Sequence, residues 1–268
     1  MTQVKRSWPW IKLNALRAVG LLALTLFAMQ LYFFARIALM AVVNPQSSTF
    51  QRSEIVRLVS DKHELLWAQE WVDYSHISDN LKRAVIASED AGFIDHHGVE
   101  WDAVENAWDR NQRAALKTES RLQKDKPAGA RPSGESGKRA TKTAEAKLVG
   151  GSTITQQLAK NLFLGPERTL PRKLQELVIT QMLEALLSKQ RIFEIYLNNV
   201  EWGEGVFGAE AASQYYFRTR AALLSPAQAA RLAVMLPTPK RFEKRPDSAY
   251  IIGRSATVLA RMSAVELP

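Results

Sequence analysis

Eighteen consecutive residues without a charge, Ala18 to Ala35, constrain this chain more than any other stretch. As a helix they reach about 27 Å, close to the apolar thickness of a bilayer. Arg36 follows, and a second apolar run reaches Val43 before Asn44-Pro45. Tyr32, Phe33 and Phe34 cluster near the far end, where an interfacial aromatic belt would sit. Residues 1–17 carry Lys5, Arg6, Lys12 and Arg17 and no acid, which keeps the N-terminus cytoplasmic and sends the rest outward. A buried core helix or a cleaved signal peptide would also contain such a run. Its length, and the lack of a clear small-x-small site after it, favour an uncleaved single-span anchor over 18–43.

The formal charge of +9 has the size of a nucleic-acid-binding signal, but its placement argues otherwise. The basic tail 1–17 holds +4, and residues 110–147 hold eleven Lys/Arg against four acids, or +7. Subtracting both from +9 leaves −2 for the rest of the chain, so no nucleic-acid partner is expected. The run 112–148 is rich in Lys, Arg, Ala, Gly, Ser and Thr, with two prolines and no aromatic, the composition of a disordered insert. Close to an anionic bilayer, its cations either attract lipid headgroups or form a solvated spacer. With no cysteine, neither a disulfide framework nor a thiolate metal site can form. The 268 residues suffice for one domain and an appendage.

The most informative stretch outside the apolar run is Gly150 to Leu164, G-G-S-T-I-T-Q-Q-L-A-K-N-L-F-L. Thr153 and Gln156 have the spacing of a capping box. Gln157, Lys160 and Asn161 then share one helical face, while Ile154, Leu158 and Leu162 form a separate buried stripe. The N-terminus of such a helix suits an anionic oxygen, although an ordinary amphipathic helix has the same spacing. Upstream, an apolar helix from Leu81 ends in Glu89-Asp90, followed by Gly92, Phe93, His96, His97 and Gly98. A partly desolvated carboxylate at a helix end suits acid/base work; a solvated helix end is the plainer alternative. Val99 to Asn111 reads as a helix with Trp101, Val104 and Trp108 inward. Downstream, Arg172 and Lys173 both reach Glu176 at helical spacing, with Leu174, Leu177 and Val178 giving the buried side of that helix.

Three strings carry a resemblance: E-D-x-x-F-x-x-H-x-G from Glu89, G-G-S-T-I-T-Q-Q from Gly150, and R-K-x-x-E from Arg172. In this order they resemble the first three motifs of the peptidoglycan glycosyltransferases, glycosyltransferase family 51. Residues 189–217, with Glu194, Asn198 and the glycines 203, 205 and 208, resemble the fourth motif, and Arg231 to Pro237 the fifth. The match covers roughly 75–245, behind a connecting region 44–80 and before an extension 246–268. The family implies a mainly α, lysozyme-like, two-lobed domain that polymerises lipid II into β-1,4 glycan and releases undecaprenyl diphosphate.

The resemblance makes Glu89 the base and Glu176 the second essential acid. Lys160, Arg168, Arg172 and Lys173 would face the diphosphate, with Ser152, Gln157 and Asn161 as further substrate-binding groups. Asp90, His96, Glu194 and Asn198 would support the site. Glu176 is left with three roles: orienting those cations, binding Mg²⁺ or Mn²⁺ beside the diphosphate, or assisting departure. A divalent ion enters through the family alone. Partners implied are lipid II, nascent glycan, membrane lipids, and proteins of division or elongation. Localisation follows as the bacterial inner membrane with a periplasmic domain. A chain ending at Pro268 has no room for the transpeptidase domain of larger relatives, so a monofunctional enzyme is expected. A lytic enzyme acting on the same polymer, and an inactive membrane scaffold, are the rivals. The basic motif positions and the presence of both acids speak against them.

Overall fold

The computed structural model describes residues 8–63, 66–101, 105, 112, 152–165, 167 and 169–268. Residues 1–7 of the tail, Val104, Trp108, the insert from 113 onward and Arg168 lie outside the described residues.

Helix α1 (Trp8–Leu39) behaves differently along its length. Its stretch from Leu13 is long and apolar enough to cross a membrane, and Leu16, Leu21, Leu24 and Phe27 point away from the protein. Further along, Met29, Phe33, Ile37 and Met40 follow helical spacing and pack into the core. The Phe33 and Phe163 rings meet edge-on at 5.4 Å. Gln30 and Gln175 exchange amide hydrogen bonds at 2.8 and 3.1 Å. The end of the apolar helix is therefore docked on the domain. Phe33 thus leaves the expected aromatic belt, while Tyr32 and Phe34 stay exposed. Arg191 closes the joint by donating to Met40 O at 2.8 Å and Asn44 Oδ1 at 2.7 Å.

Helix α2 (Thr49–Lys62) starts at a capping box made by Ser48 and Gln51. Trp67 and Trp71 flank the short strand β1 (Ala68–Gln69). β1 pairs in parallel with β3 (Val206–Phe207), which pairs antiparallel with β2 (Glu201–Gly203). This small sheet has no sequence signal beyond its glycines. Gly205 has φ +73°, and a Cβ there would lie 1.9 Å from Leu66 O, so the hairpin needs glycine.

The remaining elements are α3 (Asp79–Glu89), α4 (Ile154–Phe163), α5 (Leu170–Leu186), α6 (Lys189–Asn199), α7 (Ala209–Phe217), α8 (Pro226–Met235), α9 (Pro239–Phe242) and α10 (Ala249–Arg261). α3 packs against α8 and α10, whereas α4 packs against α5, α6 and α2. The fold is mainly α, and the site lies where these two groups of helices meet. Phe93 from the turn after α3 touches Phe193 of α6 at 5.5 Å between rings, joining the groups apolarly.

Two expectations about buried faces fail. Leu174 and Val178 are exposed on α5, and the buried positions are Glu176, Ile179, Thr180 and Leu183. The apolar face of α5 instead forms, with Phe34 of α1, a groove of about 450 Å³ lined by Val178 and Met182. That face lies beside the membrane-crossing helix, so its apolar residues need not be inside protein. Trp101 is likewise exposed at 66%, not inward.

A charged cluster fastens α2 to the hairpin and α9. Lys240 donates to Glu54 Oε1 at 2.6 Å and lies 3.3 Å from Glu201 Oε1. Burial dominates at Glu201 and pushes its carboxyl up to about 7, against the pull of Lys240. A carboxyl raised on folding stabilises the fold below its unfolded value and loses that contribution as pH rises through about 7. Glu201→Gln should therefore melt close to wild type at pH 5 and be more stable by about 1–2 kcal/mol at pH 8. Thermal unfolding of the full chain at the two pH values checks this.

Candidate active site

The site is built where α3 stops and α4 starts. Asp90 leaves the helix with φ −161°, though its N–H still bonds to Ile86 O. Its buried side chain then spans the gap. Oδ2 accepts the Ile154 N–H at 2.9 Å, from the first turn of α4, and Oδ1 lies 2.8 Å from His96 Nε2. His96 Nδ1 accepts the Gly98 N–H at 3.1 Å, so Nε2 carries the proton that is donated to Asp90. Gly98 O in turn accepts the Thr153 hydroxyl at 2.7 Å. Thr153 and Gln156 close the capping box, and Ser152 Oγ donates to Gln156 Oε1 at 3.2 Å.

Asp90 is thus spent on a joint, and the neighbouring Glu89 is not. Gln157 Nε2 donates to Glu89 Oε2 at 3.0 Å and to Ser152 O at 3.2 Å, while Tyr196 Oη donates to Gln157 Oε1 at 3.1 Å. Burial, aided by the Asp90 charge, raises the Glu89 carboxyl above the ordinary range, and the Gln157 bond and Arg254 pull it partly back.

One turn further along α4, Lys160 and Asn161 line a groove of about 500 Å³ with Arg172 of α5. Arg172 Nη1 donates to Glu176 Oε2 at 2.9 Å, and Lys173 donates to the other oxygen, Oε1. Glu176 is 2% exposed, so these cations are held by a buried carboxylate. Arg172 Nε is buried with no hydrogen-bond partner in the protein, a donor left for a ligand oxygen. The opposite wall comes from α2 through Phe50, Ser53 and Arg57. Sequence reasoning missed this wall. The Ser48/Gln51 capping box and the Glu54–Arg57 spacing were the available signals.

Glu194 and Asn198 lie outside the groove lining and fix the segment leading into α3. Asn198 exchanges hydrogen bonds with both backbone groups of Val72 at 2.9 Å, and Glu194 Oε1 accepts the Tyr74 N–H at 3.0 Å. Among the described residues no group of three His, Cys, Asp or Glu could hold a metal, and both oxygens of Glu176 are occupied by cations. As the side chains stand, Glu176 is engaged by cations and a preassembled protein cage for a divalent ion is not built around it among the described residues.

The site thus sets a half-buried carboxylate next to a basic groove, on a helical domain docked to a helix long and apolar enough to cross a membrane. The chain belongs to the transglycosylase family, whose model matches residues 60–121 and 136–263. It is 48% identical over 250 residues to the biosynthetic peptidoglycan transglycosylase of Paraburkholderia xenovorans, covering 93% of this chain and 91% of the relative. The protein of the same name from Cupriavidus metallidurans is 49% identical over 258 residues, covering 93% of this chain and 96% of the relative. That of Bordetella pertussis is 45% identical over 239 residues, covering 89% and 88%.

Asp90→Ala leaves the Ile154 N–H and His96 Nε2 without their acceptor. Unfolding in urea should show a loss of about 3 kcal/mol, the range for a buried charge-assisted network. Thr153→Ala should cost about 1 kcal/mol, as one cap does.

Proposed function

We propose that the chain polymerises lipid II into β-1,4-linked glycan with release of undecaprenyl diphosphate, Glu89 being the base. The observation that carries this reading is the juxtaposition of Glu89, tied by Oε2 to Gln157, with the cation-lined groove one turn further along α4. Oε1 of Glu89 is the oxygen that would take the proton from the acceptor's 4-hydroxyl. A carboxyl raised above its ordinary range is a better proton acceptor than an ordinary one. The donor diphosphate would lie in the groove against Lys160, Asn161 and Arg172, with the Arg172 Nε–H among its donors. Lys173 supplies further positive charge, and Arg168 is assigned the same task by its motif position. Of the three roles open to Glu176, orienting Arg172 and Lys173 accounts for both its hydrogen bonds. Glycan cleavage would release no diphosphate, so a lytic enzyme leaves this groove without a purpose.

The anchor would hold the domain at the outer face of the inner membrane. Four basic residues precede the span, which keeps its N-terminus cytoplasmic.

Glu89→Gln preserves shape and removes the base. Labelled lipid II incubated with the detergent-solubilised full chain should be polymerised at least about a hundredfold more slowly. A variant within a few-fold of wild type would sink the assignment. Lys160→Ala or Arg172→Ala should chiefly raise KM, by about tenfold, for loss of a charge-assisted contact. A reporter active only outside the cytoplasm, fused after Phe50, should be active, and an inactive fusion would reverse the topology.

A further inference from the structure

We infer that Tyr196 is a positioning residue for the Glu89 carboxylate, acting through Gln157. The inference rests on the reading of Glu89 as base, and its geometry is complete within the protein. One end of the Gln157 amide faces two acceptors, Glu89 Oε2 at 3.0 Å and Ser152 O at 3.2 Å. Nε2 must therefore occupy that end, because a carbonyl oxygen there would repel both. Gln157 Oε1 then points the other way, where the Tyr196 hydroxyl donates at 3.1 Å. The hydroxyl and the two acceptors fix the same amide orientation from opposite ends.

Tyr196 is suited to this as a permanent donor. It is 1% exposed, and burial, with the Glu89 and Asp90 charges, holds its phenol protonated well beyond the ordinary range. Among the described residues, the groups that act on Glu89 are Asp90 from its own segment, Arg254 from α10, and the neutral Gln157 and Tyr196 from α4 and α6, with Arg254 contributing positive charge. The Gln157 hydrogen bond is thus the main short-range contact that favours ionised Glu89, and it engages Oε2. Oε1 carries no hydrogen bond among the described residues and is the oxygen that would meet the acceptor hydroxyl. Without the Tyr196 hydroxyl, Gln157 Oε1 would be orphaned against a buried ring, and the amide would gain freedom to turn away from Glu89.

Tyr196→Phe keeps the ring against Phe193 and removes only the hydroxyl. In the lipid II assay the full chain should lose about tenfold in kcat with KM within about twofold, as expected for a misplaced reacting group. The acid limb of the kcat profile should move up by about one pH unit, because a carboxylate that loses a donor holds its proton more tightly. A Gln157→Ala variant should already show these changes, and adding Tyr196→Phe to it should cost nothing more. A carbon-13 titration of the Glu89 carboxyl reads the same upward shift independently of turnover. If wild type failed to lengthen lipid II, the proposed reaction would fall while this titration still judged the relay. An unmoved Glu89 titration in folded Tyr196→Phe, or an additive loss in the double variant, would overturn the relay.

Discussion

The Asp90 carboxylate holds the C-terminal end of α3 against the N-terminal end of α4. Both of its oxygens are engaged, by the Ile154 N–H and by His96. The N-terminus of α4 carries partial positive charge and free amides, so an anion is stabilised there. The same charge would be unfavourable near the C-terminus of α3, where the carbonyls point. By leaving helical geometry at Asp90, the chain sends one carboxylate to the favourable helix end and leaves its neighbour Glu89 behind. Adjacent, chemically similar side chains thereby acquire different surroundings. Asp90 is enclosed by donors, and Glu89 has one oxygen unengaged among the described residues, in a setting that raises its proton affinity.

Helix α5 shows how the surrounding solvent decides which face is inside. An amphipathic helix in water buries its apolar stripe, and that rule puts Leu174 and Val178 in the core. In the folded chain they are exposed, beside α1, and Glu176 is buried instead. Where lipid is the medium, an apolar stripe loses nothing by facing outward, and this one lies beside the apolar helix α1. The inward side of α5 can then hold a carboxylate and two cations at the groove. The Gln30–Gln175 exchange and the Phe33–Phe163 contact fix the anchor to α5 and α4, so the groove keeps a set relation to the span.

Much of this was legible in the sequence. The apolar run, the helical class, and the α4 capping box with its buried Ile154, Leu158 and Leu162 could all be read from spacing and chemistry. Motif order pointed to the family. The sheet was not legible, because strands of two or three residues carry no alternation and only Gly203, Gly205 and Gly208 mark the hairpin. The second groove wall was hidden for a different reason. Phe50, Ser53 and Arg57 reach the groove through tertiary packing of α2 on α4, which no local pattern encodes. The Tyr196–Gln157 contact joins residues 39 apart, and each alone reads as an ordinary helical position.

Helix α4 sets the spacing of the whole proposed reaction. Gln157 touches the proposed base, and Lys160 and Asn161 line the groove one turn on, about 5 Å further along the axis. That distance is close to the span between an attacking oxygen and a departing one on either side of a reacting carbon. Inversion at that carbon requires the two oxygens to be roughly in line, with the sugar between them. A helix supplies such a separation rigidly, since its rise is fixed by the backbone. The capping box and Asp90 hold its start, and the buried stripe fixes its rotation. The residues between the polar positions, Leu158 and Ala159, are buried and take no part in chemistry. Their packing nonetheless determines where both ends of the reaction would occur, so a volume change there would misplace the base and the groove together.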